Sequence, residues 1–294
     1  MTPTISAKDV AELRARTGAG MMDCKKALEE AGGDMSRAAE FLRAKGIAKA
    51  EKRAGRSTSQ GLVLAAASAD FTAGAIIELT CETDFVARNE DFIKAAEGLL
   101  AQALAGEPTD LAGFLARPSA ASPGRTVEEM VKELSGKTGE SVSLRNVAKF
   151  APGAAGTVGL YQHFNNQVAV LVEMTSNESV ARSNAVQELG REISLHIASA
   201  DPIAVRPEDI PADLIDRERR IAEEQVAAEG KPEAVRGKIV EGKIRKFVAE
   251  RTLLEQPWVK DDKKTVGQLV ADASKTVGQA ISVVRFVRFK VGEA

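Results

Sequence analysis

The chain has 294 residues, enough for two or three domains. It is 44% apolar and 28% charged, the composition of an ordinary globular protein. Forty Lys and Arg against 42 Asp and Glu leave a net charge of −2, which argues against a general nucleic-acid binder. With 4% aromatic residues, one Trp and one Tyr, the composition argues against a base-stacking platform as well. Two cysteines, Cys24 and Cys81, suit a reducing compartment. With the two histidines, His163 and His196, they lie too scattered for a zinc site, and neither a metal nor a cofactor is expected. No apolar run reaches the length of a membrane span, and the opening residues MTPTISAKDV lack the basic flank and apolar stretch of a leader. The expected place is the cytoplasm, with no membrane partner.

The first 45 residues read as three short helices. Ser6 followed by Asp9 has the form of a capping box, and Val10 and Leu13 begin an apolar face that stops at Gly18. Met21, Met22, Cys24, Ala27 and Leu28 supply a second stripe, ended at Gly32-Gly33. Met21 and Met22 are neighbours, so one is expected inside and one outside. Asp34 caps a third helix with Met35, Ala38, Phe41 and Leu42 on its apolar side. Residues 43–56 then carry six cations against one acid, Glu51. This stretch reads as a solvated linker helix ending at Gly55, with a nucleic-acid patch as the alternative.

Beyond residue 56 the period changes. Residues 61–66 and 75–80 read as strands around a turn at Ala73-Gly74. Helical pattern follows over 85–105, then a looser segment, 106–124, with three of the ten prolines. A helix over 127–134, broken between Gly136 and Gly139, leads to a strand over 142–150. An internal repeat follows: Gly61, Val63, Glu78 and Thr80 match Gly156, Val158, Glu173 and Thr175 at an offset of 95. Val86-Ala87-Arg88 matches Val180-Ala181-Arg182 at an offset of 94, and the second copy has its own hairpin turn at Asn165-Asn166. Two such halves, each a small antiparallel sheet with helices on one face, make an α+β fold.

Residues 211–251 read as a helical hairpin inserted into the second half. Pro211 starts it, Leu214, Ile221 and Ala228 recur at seven, and Gly230-Lys231-Pro232 turns the chain. Val235, Ile239, Val240, Ile244 and Phe247 line the return. The outgoing arm, 212–229, has six acids and three bases, and the returning one, 231–251, has seven bases and three acids, so the arms suit an antiparallel pair that projects. Residues 281–289 look strand-like.

Enzyme chemistry finds little support. Gly18-Ala19-Gly20 is followed by no Lys-Ser or Lys-Thr and preceded by no strand, so it is not a phosphate-binding loop. No G-x-S-x-G occurs, and neither histidine lies near a candidate nucleophile in sequence.

Two long runs carry a resemblance. Residues 13–28, LRARTGAGMMDCKKAL, and residues 78–89, ELTCETDFVARN, are similar to the two signatures of the bacterial elongation factor Ts family. Shorter echoes follow in order: Tyr161-Gln162-His163, Leu195-His196-Ile197-Ala198-Ser199, Gly230-Lys231-Pro232, Gln256-Pro257-Trp258-Val259 and Lys264-Thr265-Val266-Gly267-Gln268-Leu269. The resemblance implies a guanine-nucleotide exchange factor that binds elongation factor Tu, nucleotide-free and GDP-bound, without bond chemistry of its own. It implies an N-terminal ubiquitin-associated-like module and linker (1–55), core halves at 56–153 and 154–210 with 252–270, a coiled-coil hairpin (211–251) and a short C-terminal module (271–294). The alternative is an RNA-binding adaptor using residues 43–56 and the basic returning helix. A homodimer or a two-to-two complex stays open.

The resemblance also implies partner-binding residues. Asp84 and Phe85, with Thr83 and Val86 beside them, form a wedge aimed at the partner's Mg²⁺ and phosphate sites. Asp84 would act by charge and hydrogen bonding, Phe85 by displacing side chains, and either Thr83 or Asp84 can cap the helix behind them. His163 in the Tyr-Gln-His motif and Gly139 are further contacts, although Thr138 stands where relatives commonly carry Ile. Arg14 and Lys25 can reach partner acids, Met21 and Met22 suit a groove, and Val259 offers an apolar contact. Lys260 stands where relatives often carry an apolar residue.

Overall fold

The computed structural model describes residues 5–53, 55–229 and 232–293. The expected hairpin turn at Gly230-Lys231 lies outside the described residues.

Helices α1 (Ala7–Thr17), α2 (Met21–Glu30) and α3 (Met35–Glu51) pack around Val10, Leu13, Cys24, Ala27, Leu28, Ala38 and Leu42. The capping box is present: the Asp9 N–H donates to the Ser6 hydroxyl, and the Asp9 carboxylate accepts the Ser6 N–H. Gly18 ends α1 at φ 67°, in the left-handed region that glycine adopts without strain. Asp34 caps α3 by accepting the N–H groups of Ser36 and Arg37. Two expectations are corrected. Met21 and Met22 are both exposed, because the buried face of α2 begins at Cys24. Phe41 is exposed too, one position off the Ala38–Leu42 stripe.

The basic stretch does not form a separate helix to Gly55. It continues α3, which stops at Glu51, and its cations meet acids and carbonyls. Lys45 and Lys49 reach Asp23 at 2.8 and 3.5 Å, Arg43 reaches Glu133, Arg56 reaches Glu82, and Arg53 donates to the Ser135 carbonyl.

Strands β1 (Gln60–Ala67) and β2 (Gly74–Cys81) follow, then α4 (Asp84–Ala87), α5 (Glu90–Ala105), α6 (Leu111–Leu115), α7 (Val127–Thr138) and β3 (Ser143–Phe150). The helical pattern over 85–105 is two helices, because the Asn89 side chain accepts the Asp91 N–H and starts α5 afresh. The expected loose segment contains α6, capped by Asp110. Helix α7 runs through Gly136 and ends only at Gly139. A Cβ at Gly136 would stand 3.1 Å from the Gly46 Cα, so glycine there permits α3 to cross α7 closely.

The second half repeats the plan with β4 (Gly156–Gln162), β5 (Val168–Thr175) and α8 (Asn184–Ala200). A short 3-10 turn at Pro207–Asp209 leads into the hairpin α9 (Ala212–Ala228) and α10 (Glu233–Arg251). The small ladder β6 (Pro257–Trp258) with β7 (Asp261–Thr265), then α11 (Val266–Val277) and β8 (Ser282–Lys290), complete the chain.

The sheets are antiparallel, in the orders β1-β2-β3 and β4-β5-β8. Their registers coincide under the repeat: Gly61 faces Thr80 as Gly156 faces Thr175, and both central strands shift register after the equivalent glutamates, Glu78 and Glu173. The boundary expected at residue 271 falls inside α11, and β8 pairs with β5, so the last residues complete the second sheet. Alternation along β2 sends Ala75, Ile77, Leu79 and Cys81 toward α5 and α7, and Ile76 toward the other sheet. Likewise Val170, Val172 and Met174 of β5 face α8 and α11, while Ala169 and Leu171 meet Val63, Ile76 and Phe150. The core is therefore helix, sheet, sheet, helix.

The hairpin packs on its own small core of Ala222, Val226, Val240 and Ile244, flanked by Ile215, Ile239 and Val248. The expected seam of Leu214, Ile221 and Ala228 is one residue out of phase on α9, and Ile221 and Val235 are exposed. Arg219 pairs with Glu241 and Lys243 with Glu229, as the opposite charges of the arms suggest.

Candidate functional site

Thr83, Asp84, Phe85 and Val86 lie where β2 ends and α4 begins. Thr83 is the cap, since its hydroxyl accepts the Val86 N–H at 3.4 Å. Phe85 is 83% exposed on the first turn of α4, so its ring is left to solvent. Asp84 pairs with Arg88 at 3.0 Å one turn on, with both side chains largely open to water, where such a pair contributes little to stability.

A residue that sequence reasoning missed holds this turn. The Glu140 carboxylate accepts the Glu82 and Thr83 N–H groups at 3.1 and 3.0 Å and the Thr83 hydroxyl at 2.6 Å. In return the Glu82 carboxylate accepts the Ser141 N–H at 2.6 Å. That bond, helped by nearby Arg56, holds the Glu82 carboxyl below the usual range. Gly139, immediately before Glu140, is exposed at φ 78°, with open space where a side chain would stand. Thr138 turns its hydroxyl back to the Leu134 carbonyl at 3.0 Å. The Cys81 thiol donates to the Thr83 carbonyl, and burial, reinforced by the Glu140 charge, pushes its pKa up to about 12. It is a structural thiol, not a nucleophile.

His163 follows β4. Its Nδ1 lies 2.8 Å from the Tyr161 hydroxyl, and its ring lies 4.5 Å from that of Phe164, which is 89% exposed. Phe164 carries no signal in the sequence, and only its full exposure beside His163 marks it. Asn166 forms the turn at φ 56°, and its carbonyl accepts the Val63 N–H, while the Gln167 side chain reaches the Gly61 carbonyl. Gly61 pairs with Thr80, so this turn and the Phe85 turn lie at the same end of the two-sheet core.

Met21 and Met22 are 56% and 76% exposed. The loop before them approaches α7, where a Cβ on Gly18 would lie 3.7 Å from Lys137, two residues before Gly139. Lys25 lies 3.9 Å from Glu29 in an exposed pair, and Arg14 sits in the exposed last turn of α1. Val259 is 42% exposed, and its N–H donates to Nδ1 of the buried His196 at 3.3 Å. His196 Nε2 meets Gln256 Oε1 at 2.9 Å, and burial lowers its pKa. Lys260 pairs with Glu192 and presents no apolar surface. Thus Glu140 brings Thr83–Val86 and Gly139 together, His163 lies at the same end of the core, the loop before Met21 and Met22 approaches Lys137 of α7, and Val259 is positioned separately by α8.

Among the described residues no group of three His, Cys, Asp or Glu is placed to hold a metal ion, and no helix is long and apolar enough to cross a membrane.

Comparison with known proteins agrees with the sequence resemblance. A family model described as Elongation factor TS matches residues 82–293. The chain is 43% identical over 300 residues to an Elongation factor Ts of Aquifex aeolicus, covering 99% of each chain. It is 44% identical over 290 residues to that of Symbiobacterium thermophilum, covering 98% of this chain and 92% of the other. A Clostridium botulinum Elongation factor Ts is 44% identical over 289 residues, with 98% and 93% covered. The extent and identity of these matches, spanning the braced Phe85 turn and both halves of the core, mean that the chain belongs to the elongation factor Ts family.

Proposed function

We propose that this chain is a guanine-nucleotide exchange factor for elongation factor Tu, which it binds nucleotide-free and GDP-bound. It acts during translation elongation in the bacterial cytoplasm. Membership of the family supports the partner, and the feature of the chain that supports the mechanism is Phe85, solvent-exposed on a turn held by Glu140. Exchange requires no covalent step. The chain must bind the empty partner better than the occupied one, and by linkage nucleotide must weaken the chain's grip to the same degree.

Accelerating release about 10⁴-fold takes about 5.5 kcal/mol of differential interaction. Burying one Phe contributes about 1.5–3 kcal/mol, so the wedge needs other contacts. In this reading Phe85 displaces partner side chains at the Mg²⁺ site. Asp84 exchanges its Arg88 pairing for partner groups, and His163, Gly139, Met21, Met22, Arg14, Lys25 and Val259 add contacts elsewhere. Residues 1–55 form a ubiquitin-associated-like docking module and 211–251 a projecting coiled coil. The RNA-adaptor reading has no such support, because Arg43, Lys45, Lys49 and Arg56 are already paired with acids.

The test is release of labelled GDP from elongation factor Tu. Stoichiometric chain should accelerate it by orders of magnitude, and an unchanged rate refutes the proposal.

A further inference from the structure

The segment carrying Phe85 is too short to hold itself. Helix α4 has four residues, well below the length at which an isolated helix is stable in water. Phe85 is 83% exposed, so side-chain packing does little to fix its direction. What does reach the turn is a carboxylate from a distant part of the chain.

Glu140 lies just past α7, 57 residues from Thr83. Its Oε2 accepts two consecutive backbone N–H groups, those of Glu82 and Thr83, and its Oε1 accepts the Thr83 hydroxyl at 2.6 Å. Because that hydroxyl proton goes to Glu140, its lone pair is left to receive the Val86 N–H, so Glu140 sets the orientation in which Thr83 caps α4. The Glu82 carboxylate returns the favour to the Ser141 N–H. Each of two adjoining turns thus lends a charged acceptor to the other's backbone. Such charge-assisted bonds are shorter and stronger than neutral ones.

Resting on the exchange-factor reading, we infer that Glu140 is the positioning residue for Phe85: it holds the wedge turn in the geometry that enters the partner. Removing the carboxylate frees two N–H groups and the Thr83 hydroxyl together, and the first turn of α4 loses its aim. The Phe85 side chain is chemically unchanged, but the fraction of bound complexes in which it is correctly placed falls.

The experiment is a double-mutant cycle in full-length chain, read by release of labelled GDP from elongation factor Tu. The forms compared are the parent, Glu140→Ala, Phe85→Ala and the double variant. Glu140→Ala should lower the maximal release rate about ten-fold, the scale of losing one or two charged hydrogen bonds. The half-saturating concentration should change less. In the Phe85→Ala background the same substitution should cost under about two-fold, because a residue that acts through Phe85 has nothing left to act on. Glu140→Gln guards against misfolding. It keeps an oxygen for the Thr83 hydroxyl but turns an NH₂ group toward the two N–H donors, so it should show a partial loss while still melting in one cooperative transition. Amide hydrogen exchange at Glu82 and Thr83 should quicken in both Glu140 variants. Parent-like release by both variants overturns the inference, as does an equal loss with and without Phe85. If the parent itself fails to accelerate release, the exchange-factor reading falls and takes this inference with it.

Discussion

Glu78 and Glu173 occupy the same place in the two halves, each buried on a central strand at the residue before a register shift, yet they are satisfied differently. Glu78 accepts from the Asn146 amide at 2.6 Å and from the Gly292 N–H at 3.0 Å. Glu173 instead meets the Arg285 guanidinium at 2.8 and 2.9 Å, and that guanidinium lies 4.4 Å over the ring of Phe150 in the other sheet. Arg285 therefore both neutralises a buried carboxylate and ties the sheets together. Arg285→Ala should cost about 2 kcal/mol in urea unfolding, since a lone buried charge is more costly than a missing pair. Replacing Glu173 by Gln in the same chain should recover part of that loss.

Phe85→Ala should slow nucleotide release about ten-fold or more. Because the ring is solvent-exposed, stability should stay within about 0.5 kcal/mol of the parent. Stopped-flow release and a thermal melt on one preparation test both statements, and equal release rates would remove Phe85 from the wedge.

Phe164, 89% exposed with its ring tilted against that of His163, should serve the same face. Phe164→Ala should weaken binding of nucleotide-free elongation factor Tu several-fold, on the scale of about 1 kcal/mol for an aromatic contact. Calorimetric titration measures the change directly.

His196 gives a pH dependence. Burial lowers its pKa from about 6.5, and the Gln256 hydrogen bond opposes the shift without cancelling it. The unfolded chain therefore takes up a proton near pH 6.5 that the folded chain resists. This contribution to stability is fully present above about 6.5 and is lost as the pH falls toward the lower folded value. Protonation would also set a proton on Nδ1 against the Val259 N–H and loosen that turn. Urea midpoints should fall between pH 7.5 and 5.5, conditions about one unit either side of the ordinary histidine value. His196→Gln should flatten that fall.

Gly159 and Gly190 mark where β4 meets α8. A Cβ on Gly159 would stand 2.6 Å from the Gly190 backbone, with no flexible side chain there to move away. Gly159→Ala should therefore force α8 off the sheet at a cost of about 2–3 kcal/mol, seen as a lower thermal midpoint.

Much of this architecture was written locally. The capping boxes, the glycine stops, the strand alternation and the repeat at an offset of 95 each depend on residues close in sequence or matched by type, so residue order specified the three-helix start, the two hairpins and the inserted helical pair. The long signatures likewise marked Thr83–Val86 as the region to watch. Other features depended on what packs against what. Which of Leu214 and Ile215 faces the hairpin seam is decided by the phase of the opposing helix, and both residues are apolar. Met21 and Met22 are both outside because Cys24, Ala27 and Leu28 already fill a small core. β8 finds β5 from more than a hundred residues away. Glu140 is one of 42 acids, and its role arises only when folding brings α7 beside the end of β2. Local patterns encode backbone preference and which face is apolar. The partner of a given face or carboxylate is chosen by long-range contacts, which no short stretch of sequence contains.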